Sequence, residues 1–176
     1  MTKMRDYMQP CKYVFGVDPG KTGALSIFSY IDGEYYLRYI LDYDTDKPMI
    51  PYSIQDKVEE VTAGHCIAFI ENVHAAPGQS VSAMFNFGQN LGWWKGLFDA
   101  LEIEYKLIAP QSWSPVMLGI TDDKKNKARE VAKNLFSRDN DCKCGSDVSP
   151  WFRLKKHDGR ADSALIAWYG IQKYIK

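Results

Sequence analysis

Three short apolar segments joined by tight turns lie near the start of the chain, and they constrain the fold more than any other feature. The segments Tyr13 to Asp18, Ala24 to Tyr30 and Glu34 to Leu41 each have the length and apolar content of a β-strand. The Ile-Asp-Gly sequence at 31–33 is a hairpin turn signal between the second and third segments. The pattern therefore predicts a three-stranded meander.

Helical and strand patterns alternate after this meander. Two further strands are predicted, at Cys66 to Glu71 and at Glu104 to Ile108. Four helices are predicted, at Ser53 to Ala63, Ser80 to Leu101, Lys124 to Phe136 and Asp158 to Ile175. Residues 137–152 are expected to be irregular. This order is typical of an α/β fold in which a mixed sheet, antiparallel at its N-terminal part, is covered by helices on both faces.

The chain has the size and composition of one globular domain spanning residues 1–176. A length of 176 residues allows a real core, and an apolar content of 45% argues against disorder. No apolar run approaches the roughly 18 residues that a membrane span needs. The N-terminal sequence MTKMRDYMQPCK contains no apolar signal core. We therefore expect a cytoplasmic protein with no membrane partner, in the host cytoplasm if a phage encodes it.

The four cysteines do not have the spacing of a typical zinc site. Cys142 and Cys144 are separated by one residue, whereas zinc sites usually separate two cysteines by two residues or more. Cys66 opens an apolar run and is interpreted as a core thiol. We interpret the cysteines as reduced and structural, and a zinc site that combines Cys142 and Cys144 with His157 stays open as the alternative.

Carboxylates stand at the ends of two predicted strands and at the start of the last predicted helix. Asp18 ends the first strand, Glu71 ends the fourth, and Asp158 and Asp162 lie four residues apart, on one helix face with Cβ atoms roughly 6 Å apart. Asp18 is equally explained as a turn residue and Asp158 as a helix cap. Asp162 is harder to explain in this way because its neighbours are apolar, so its charge needs a partner or a cation.

Four acids that converge on one site would repel each other, and divalent cations would offset that repulsion. Ligation by oxygen alone suits Mg²⁺ or Mn²⁺ and does not suit zinc. A pair of such ions about 4 Å apart can activate water and stabilise the leaving oxygen during phosphodiester cleavage. We therefore expect two Mg²⁺ ions per active site, for which Mn²⁺ would substitute.

Five segments of the chain carry a more specific signal. They are GVDPGKTGAL at 16–25, FIENV at 69–73, FGQNLGWWKG at 87–96, KNKAREVAKNLF at 125–136 and DGRADSALIAWYG at 158–170. Taken in this order, which is the family's order, they resemble RuvC-type Holliday junction resolvases, particularly those of bacteriophages. That family belongs to the RNase H-like nuclease superfamily, and the resemblance covers most of the chain.

The resemblance implies that Asp18, Glu71 and Asp162 are metal-binding catalytic acids. Asp158 is expected to serve as the fourth, although the last two acids of the bacterial enzymes are usually three residues apart and here they are four apart. His157 is either a proton acceptor or support for a metal ligand, or an exposed loop residue, and both interpretations stay open. The resemblance also implies a homodimer that makes paired symmetric nicks in a four-way DNA junction, leaving 5′-phosphate and 3′-hydroxyl ends.

DNA contacts are expected from basic residues beside the acids and from the loop that follows Glu71. The candidates are Lys21, His74, Gln79, Ser80, Lys124, Lys125, Lys127, Lys155, Lys156 and Arg160. The alternative for each lysine is a solvated surface, and the alternative for the loop at 73–80 is an ordinary surface loop. The formal net charge is zero, so charge alone does not indicate nucleic acid.

Gly88, Gly92 and Gly96 recur every four residues in the predicted long helix. A glycine costs about 1 kcal/mol relative to alanine inside a helix. Three on one face therefore predict close packing of this helix on the sheet. The resemblance adds a second interpretation, since RuvC-like enzymes dimerise through this region.

Several other functions fit parts of the pattern. A nuclease of broader specificity, acting on flaps or RNA–DNA hybrids, would use the same acids. A catalytically silent DNA-binding relative would be signalled by loss of an acid, and Asp18, Glu71 and Asp162 are all present. ATP-binding proteins of the actin and sugar-kinase type also place an aspartate and glycine turn between two strands, but they need a second phosphate loop and a longer chain.

Overall fold

The computed structural model describes residues 11–42, 57–58, 65–72, 80–136, 149–154 and 158–176. A five-stranded sheet lies at the centre of this described part, in the order β3-β2-β1-β4-β5. The strands are β1 (Tyr13–Asp18), β2 (Ala24–Ile31), β3 (Glu34–Asp42), β4 (Cys66–Glu71) and β5 (Glu104–Ile108). They agree with the predicted strands, and β2 and β3 each extend one residue further.

The sheet is mixed, and its topology brings two acidic strand ends together. β1 and β2 are antiparallel, as are β2 and β3, which confirms the meander. β1 and β4 are parallel, with Val17 paired with Ile70. Because parallel strands end at the same edge of a sheet, the next residues along, Asp18 and Glu71, lie side by side at that edge.

Helices cover both faces of the sheet, as predicted. They are α1 (Val81–Ala100), α2 (Pro110–Leu118), α3 (Lys124–Phe136) and α4 (Asp158–Gly170), with a 3₁₀-helix at Ser149–Phe152 and a π-helical turn at Ile171–Ile175. No helix in the described part of the chain is long and apolar enough to cross a membrane.

Alternation along β1 divides the core into two layers. Phe15 faces the layer that contains Trp94 and Phe98 of α1. Val14 faces the opposite layer, which contains Leu165 of α4 together with residues of α2 and α3. Helix α1 and the helical residue Val58 therefore lie on one face of the described sheet, and α2, α3 and α4 lie on the other.

Helix α4 packs directly against the backbone of β1. A Cβ atom on Gly16 would lie 2.1 Å from the carbonyl oxygen of Ser163, so no larger residue fits at this crossing. The Ser26 hydroxyl donates a hydrogen bond to the same carbonyl oxygen over 2.9 Å. These contacts fix α4 against the two central strands and so fix the position of its first turn.

Helix α2 was not expected from the sequence. Pro110 occupies its first turn, where the missing N–H group has no partner to lose, and Pro115 lies inside it. Two prolines in nine residues hide the helical pattern. The segment at 149–152, predicted to be irregular, is a 3₁₀-helix, and the last predicted helix ends as a π-helical turn.

Other predictions fall partly or wholly outside the described residues. In the helix predicted at Ser53 to Ala63, only residues 57 and 58 are described, and both are helical. Residues 137–148 are outside the described part.

The prediction that the three helix glycines pack closely on another element is wrong within the described chain. A Cβ atom on Gly88, Gly92 or Gly96 would meet nothing within 4 Å. The buried side of α1 instead carries Trp94 and Phe98, so the glycines lie on the side turned away from the sheet.

Candidate active site

Asp18 ends β1 in a tight turn that wraps around its carboxylate. The Gly20 N–H donates a hydrogen bond to Asp18 Oδ1 over 2.9 Å, and the Gly23 N–H donates to the carbonyl oxygen of Gly20 over 3.1 Å. A Cβ atom on Gly23 would lie 1.9 Å from the Asp18 carbonyl oxygen, so the turn requires glycine there. Burial raises the pKa of Asp18 to about 6, against the lowering effect of the Gly20 N–H.

Glu71 ends the neighbouring strand and is held from another direction. The indole N–H of Trp113, in α2, donates a hydrogen bond to Glu71 Oε1 over 2.9 Å. Burial, and then the negative charge of Asp18, raise the pKa of Glu71 to about 7, while the indole hydrogen bond opposes the shift. The site therefore holds two carboxyl groups whose charge is poorly compensated.

The first turn of α4 is docked onto the turn that holds Asp18. A Cβ atom on Gly159 would lie 2.2 Å from the Thr22 carbonyl oxygen and 3.1 Å from Asp18 Oδ2. This contact brings Asp158 and Asp162 to the same site. The pKa of Asp162 is raised well above its ordinary value, by burial first and then by the charges of the other three acids.

Lys125 of α3 supplies positive charge at the edge of the acid cluster, which we define as Asp18, Glu71, Asp158 and Asp162. Its Nζ lies 2.7 Å from Asp158 Oδ2. This hydrogen bond raises the pKa of Lys125, and the ammonium group in turn lowers the pKa of Asp18 and Asp162. A single ammonium does not cancel the burial and repulsion, because both aspartate pKa values remain raised.

The donor set of the acid cluster fits a hard divalent cation. All four side chains offer carboxylate oxygen, which Mg²⁺ and Mn²⁺ prefer, and the raised pKa values show charge that a cation would relieve. As they stand, no three His, Cys, Asp or Glu side chains in the described residues form a ready-made ligand group.

Two hydrogen bonds in the site could not have been read from motifs. The first is the bond that Trp113 donates to Glu71, and it was missed because helix α2 itself was not predicted. Asn90 is the other: it is buried in α1, and its side-chain amide donates to the Pro19 carbonyl oxygen over 3.2 Å, which fixes the turn after Asp18. The signals in the sequence were the place of Asn90 within the segment FGQNLGWWKG and its polar character on the helix face that also carries Trp94 and Phe98.

The predicted DNA-contact residues differ in their exposure and in the contacts that they make. Lys125 lies at the acid cluster, and Lys21 and Lys124 are exposed. Lys127 lies 3.9 Å from Glu130. The Ser80 hydroxyl accepts a hydrogen bond from the Ala83 N–H, so it caps α1. His74, Gln79, Lys155, Lys156 and His157 lie outside the described residues.

Arg160 binds a carboxylate through two nitrogen atoms of its guanidinium group. Its Nε and Nη2 atoms each lie 2.5 Å from an oxygen of Asp42, at the end of β3. A paired fork of this kind is geometrically specific. Arg160 therefore ties α4 to the edge of the meander.

The cysteines that can be assessed are core thiols. Cys11 and Cys66 are buried, reduced thiols, which confirms the prediction for Cys66. The residues of the zinc alternative, Cys142, Cys144 and His157, lie outside the described residues.

Several solved structures have a fold similar to that of this chain. No protein-family model and no curated protein sequence matches the chain. Among solved structures, the fowlpox virus resolvase in complex with Holliday junction DNA matches with a TM-score of 0.63 at 17% identity, over 93% of this chain and 99% of that chain.

Two other resolvases have a similar fold. Thermus thermophilus RuvC in complex with a Holliday junction substrate matches with a TM-score of 0.56 at 15% identity, over 93% of this chain and 97% of that chain. The yeast mitochondrial Holliday junction resolvase matches with a TM-score of 0.57 at 16% identity, over 91% and 78% respectively. The chain therefore has a mixed-sheet α/β fold like that of these three resolvases, and this agrees with the fold that the sequence resemblance implies.

Proposed function

We propose that this protein is a metal-dependent endonuclease that cleaves branched DNA, with the four-way junction as its main substrate. The observation that carries the proposal is the acid cluster, which the turn after β1, the end of β4 and the start of α4 assemble at one edge of the sheet. The fold shared with three resolvases, two of them solved with junction DNA, supports the choice of substrate.

The acid cluster is proposed to hold two Mg²⁺ ions, for which Mn²⁺ would substitute. Asp18 and Glu71 each commit one carboxylate oxygen to a neutral donor, Gly20 N–H and Trp113 N–H respectively, and each keeps the other oxygen for a cation. Bound cations would supply the positive charge that stabilises the phosphodiester transition state and would make a water molecule a better nucleophile.

The protein's own groups would orient the substrate around this centre. Lys125 lies beside Asp158 with its side chain 77% exposed, so its ammonium can also meet a phosphate oxygen. Lys21, Lys124 and Lys127 are proposed to contact the phosphate backbone further out, and binding should then weaken as salt rises. His74, Gln79, Lys155 and Lys156 are proposed to contact DNA, and His157 is proposed to accept a proton or to support a metal ligand. A cytoplasmic location is also proposed.

A homodimer is proposed to form through the outer side of α1. Val81 is 78% exposed and Phe85 is 71% exposed, although both are large and apolar. Gly88, Gly92 and Gly96 continue the same side of the helix with open space above them. A second copy would cover this side, and its two-fold symmetry would place one active site on each of two opposed strands of a four-way junction.

A cleavage assay on purified protein tests the proposal. The substrates are a synthetic four-way junction, a linear duplex, a flap and an RNA–DNA hybrid, each with Mg²⁺, Mn²⁺ or chelator. We expect symmetric nicks in the junction that require the metal and that Asp162→Asn abolishes. Glu34→Gln is the matched control, because it removes an exposed acid that pairs with Lys176 away from the site.

Other outcomes would replace the proposal with a named alternative. Equal cutting of flaps and hybrids would keep the acid cluster but would indicate a nuclease of broader specificity. Junction binding without cutting in any metal would leave the catalytically silent DNA-binding relative.

A further inference from the structure

We propose that Trp113 is a positioning residue for Glu71, holding one carboxylate oxygen so that the other is presented to a divalent cation. The inference rests on the proposed function, because it concerns how one acid of the same cluster is held. It adds a residue from α2, which the sequence patterns did not reveal.

The path of the chain brings the indole to Glu71. β5 is the neighbour of β4, and Glu71 pairs with Ile108, the last residue of β5. α2 starts two residues later at Pro110, whose ring is suited to a first helical turn. Trp113 stands one turn into that helix and reaches back over 2.9 Å to Glu71 Oε1.

The indole is itself held firmly. Trp113 is 3% exposed and belongs to the core layer that includes Leu118 of its own helix and Ala128 and Ala132 of α3. Moving the ring would open a cavity in that layer, and cavities in a packed core are costly. Glu71 has a long side chain at a strand end, so an anchored donor removes freedom that the carboxylate would otherwise keep.

The chemistry of the donor matters as much as its position. An indole N–H is neutral, so it orients Glu71 without cancelling the charge that attracts a cation. Lys125 at Asp158 is the contrast, because its ammonium neutralises the acid that it contacts. Groups that hold a metal ligand in this way typically change metal affinity or activity by 10–100-fold when removed.

The test is Trp113→Phe, which removes the N–H and keeps an aromatic ring in the core. We expect Mn²⁺ affinity, measured by titration calorimetry without DNA, to fall by about 10–100-fold. The rate of junction cleavage at a fixed Mg²⁺ concentration should fall, and saturating metal should recover part of it. Junction binding in chelator should match the parent protein.

Trp168→Phe is the matched control. Trp168 packs against the same core layer, and its indole N–H has no hydrogen-bond partner in the described part of the chain. The same chemical change there removes ring area but no hydrogen bond, so Mn²⁺ affinity should stay at the parental value. If Trp113 had only a structural role, Trp113→Phe would lower the melting temperature and leave Mn²⁺ affinity at the parental value, as in Trp168→Phe.

A spectroscopic measurement reports on the contact directly. The indole N–H resonance that disappears in Trp113→Phe should shift on addition of Mg²⁺ to the parent protein, whereas the resonance assigned through Trp168→Phe should not. If Trp113→Phe fails to fold, site-specific incorporation of benzothienylalanine removes the N–H within a ring of nearly the same shape.

The outcomes separate this inference from the proposed function. Parental Mn²⁺ affinity in Trp113→Phe, with parental cleavage, would overturn the role of Trp113 and leave the nuclease proposal intact. Absence of Mn²⁺ binding in the parent protein would overturn both.

Discussion

Asp162 lies on the first turns of α4 among apolar neighbours, where its negative charge is unfavourable unless a cation is present. Its pKa is raised by burial and by three other acids, so the ionised form destabilises the metal-free protein. A residue retained at such a cost is typical of a functional site. The consequence can be measured as stability.

We predict that Asp162→Asn raises the melting temperature of the metal-free protein at pH 7.5. The amide keeps the shape of the carboxylate and removes its charge. Because about 1 kcal/mol shifts the melting temperature of a chain of this size by about 2–4 °C, a rise of at least about 3 °C is expected in chelator. Stabilisation by Mn²⁺ should shrink in the same variant. An acid with only a structural role would show the opposite, with Asp162→Asn melting lower in chelator.

The pKa values of Asp18 and Glu71 predict a pH dependence of stability. Both pKa values are raised in the folded state, to about 6 and about 7, so the folded state binds protons more tightly than the unfolded state. Their contribution to the unfolding free energy is therefore greatest near pH 4 and is lost as pH rises to about 7. For Asp18 alone the change is on the order of 3 kcal/mol.

This dependence is isolated by comparing the parent protein with an Asp18→Asn, Glu71→Gln double variant in urea unfolding experiments with chelator. Between pH 4 and pH 7 the stability of the parent should fall relative to that of the double variant. If the parent instead gains stability relative to the variant over that range, the two carboxylates are stabilised as ions and the cluster is not as described.

At the scale of single residues, the sequence pointed to the acids of the cluster but not to the side chains that hydrogen-bond to them. Asp18 and Glu71 were identifiable because each ends an apolar run, and strand ends are visible in sequence. The bond between Glu71 and Trp113 depends on how α2 turns after β5, and the fork between Arg160 and Asp42 joins residues 118 apart. Contacts of this kind are set by packing, which no local pattern encodes.

At the scale of elements, the helices approach the sheet in two different ways. α4 crosses β1 so closely that Gly16 and Gly159 have no room for a side chain. α1 presents its glycines outward, and its large aromatic residues fill the space next to the sheet. Periodicity places Gly88, Gly92 and Gly96 on one face, but it does not say which face is buried, and this explains why the packing prediction was wrong.

Two glycine substitutions should therefore have opposite effects. In the monomer, Gly92→Ala meets open space inside a helix, so the unfolding free energy of protein kept monomeric by Phe85→Glu should rise by about 1 kcal/mol. Gly159→Ala would put a Cβ atom 2.2 Å from the Thr22 carbonyl oxygen. The unfolding free energy of this variant should therefore fall by about 2 kcal/mol or more. Chemical denaturation measures both. A stabilising Gly159→Ala would show that α4 does not dock on the turn after Asp18.

At the scale of the whole molecule, the two halves of the sheet have different tasks. The antiparallel meander supplies Asp18 and the turn on which α4 docks, and the parallel pair of β4 and β5 supplies Glu71 and leads into α2. The five strands and the helices α1, α3 and α4 were predictable, because apolar runs and their lengths define strands and helices without tertiary information. The spatial route of the chain through the active site was not.

The proposed dimer predicts that Phe85→Glu produces monomers. A charge at this exposed position should weaken self-association at least about 10-fold while leaving the melting temperature of the monomer unchanged. Sedimentation measures the association, and Val116→Glu, at an apolar position 66% exposed on α2, is the matched control. A parent protein that remains monomeric at all concentrations would contradict the dimer.

The most direct test of the central claim is cleavage of a supercoiled plasmid that extrudes a cruciform, which is a four-way junction within a closed circle. Two nicks made in opposed strands before the protein dissociates convert the plasmid to a linear form, whereas a single nick only relaxes it. We predict linear product that requires Mg²⁺ or Mn²⁺, depends on Asp162 and appears only when the cruciform is present. Failure to cut the cruciform in either metal, or equal cutting of the same plasmid without it, would contradict the proposed junction endonuclease.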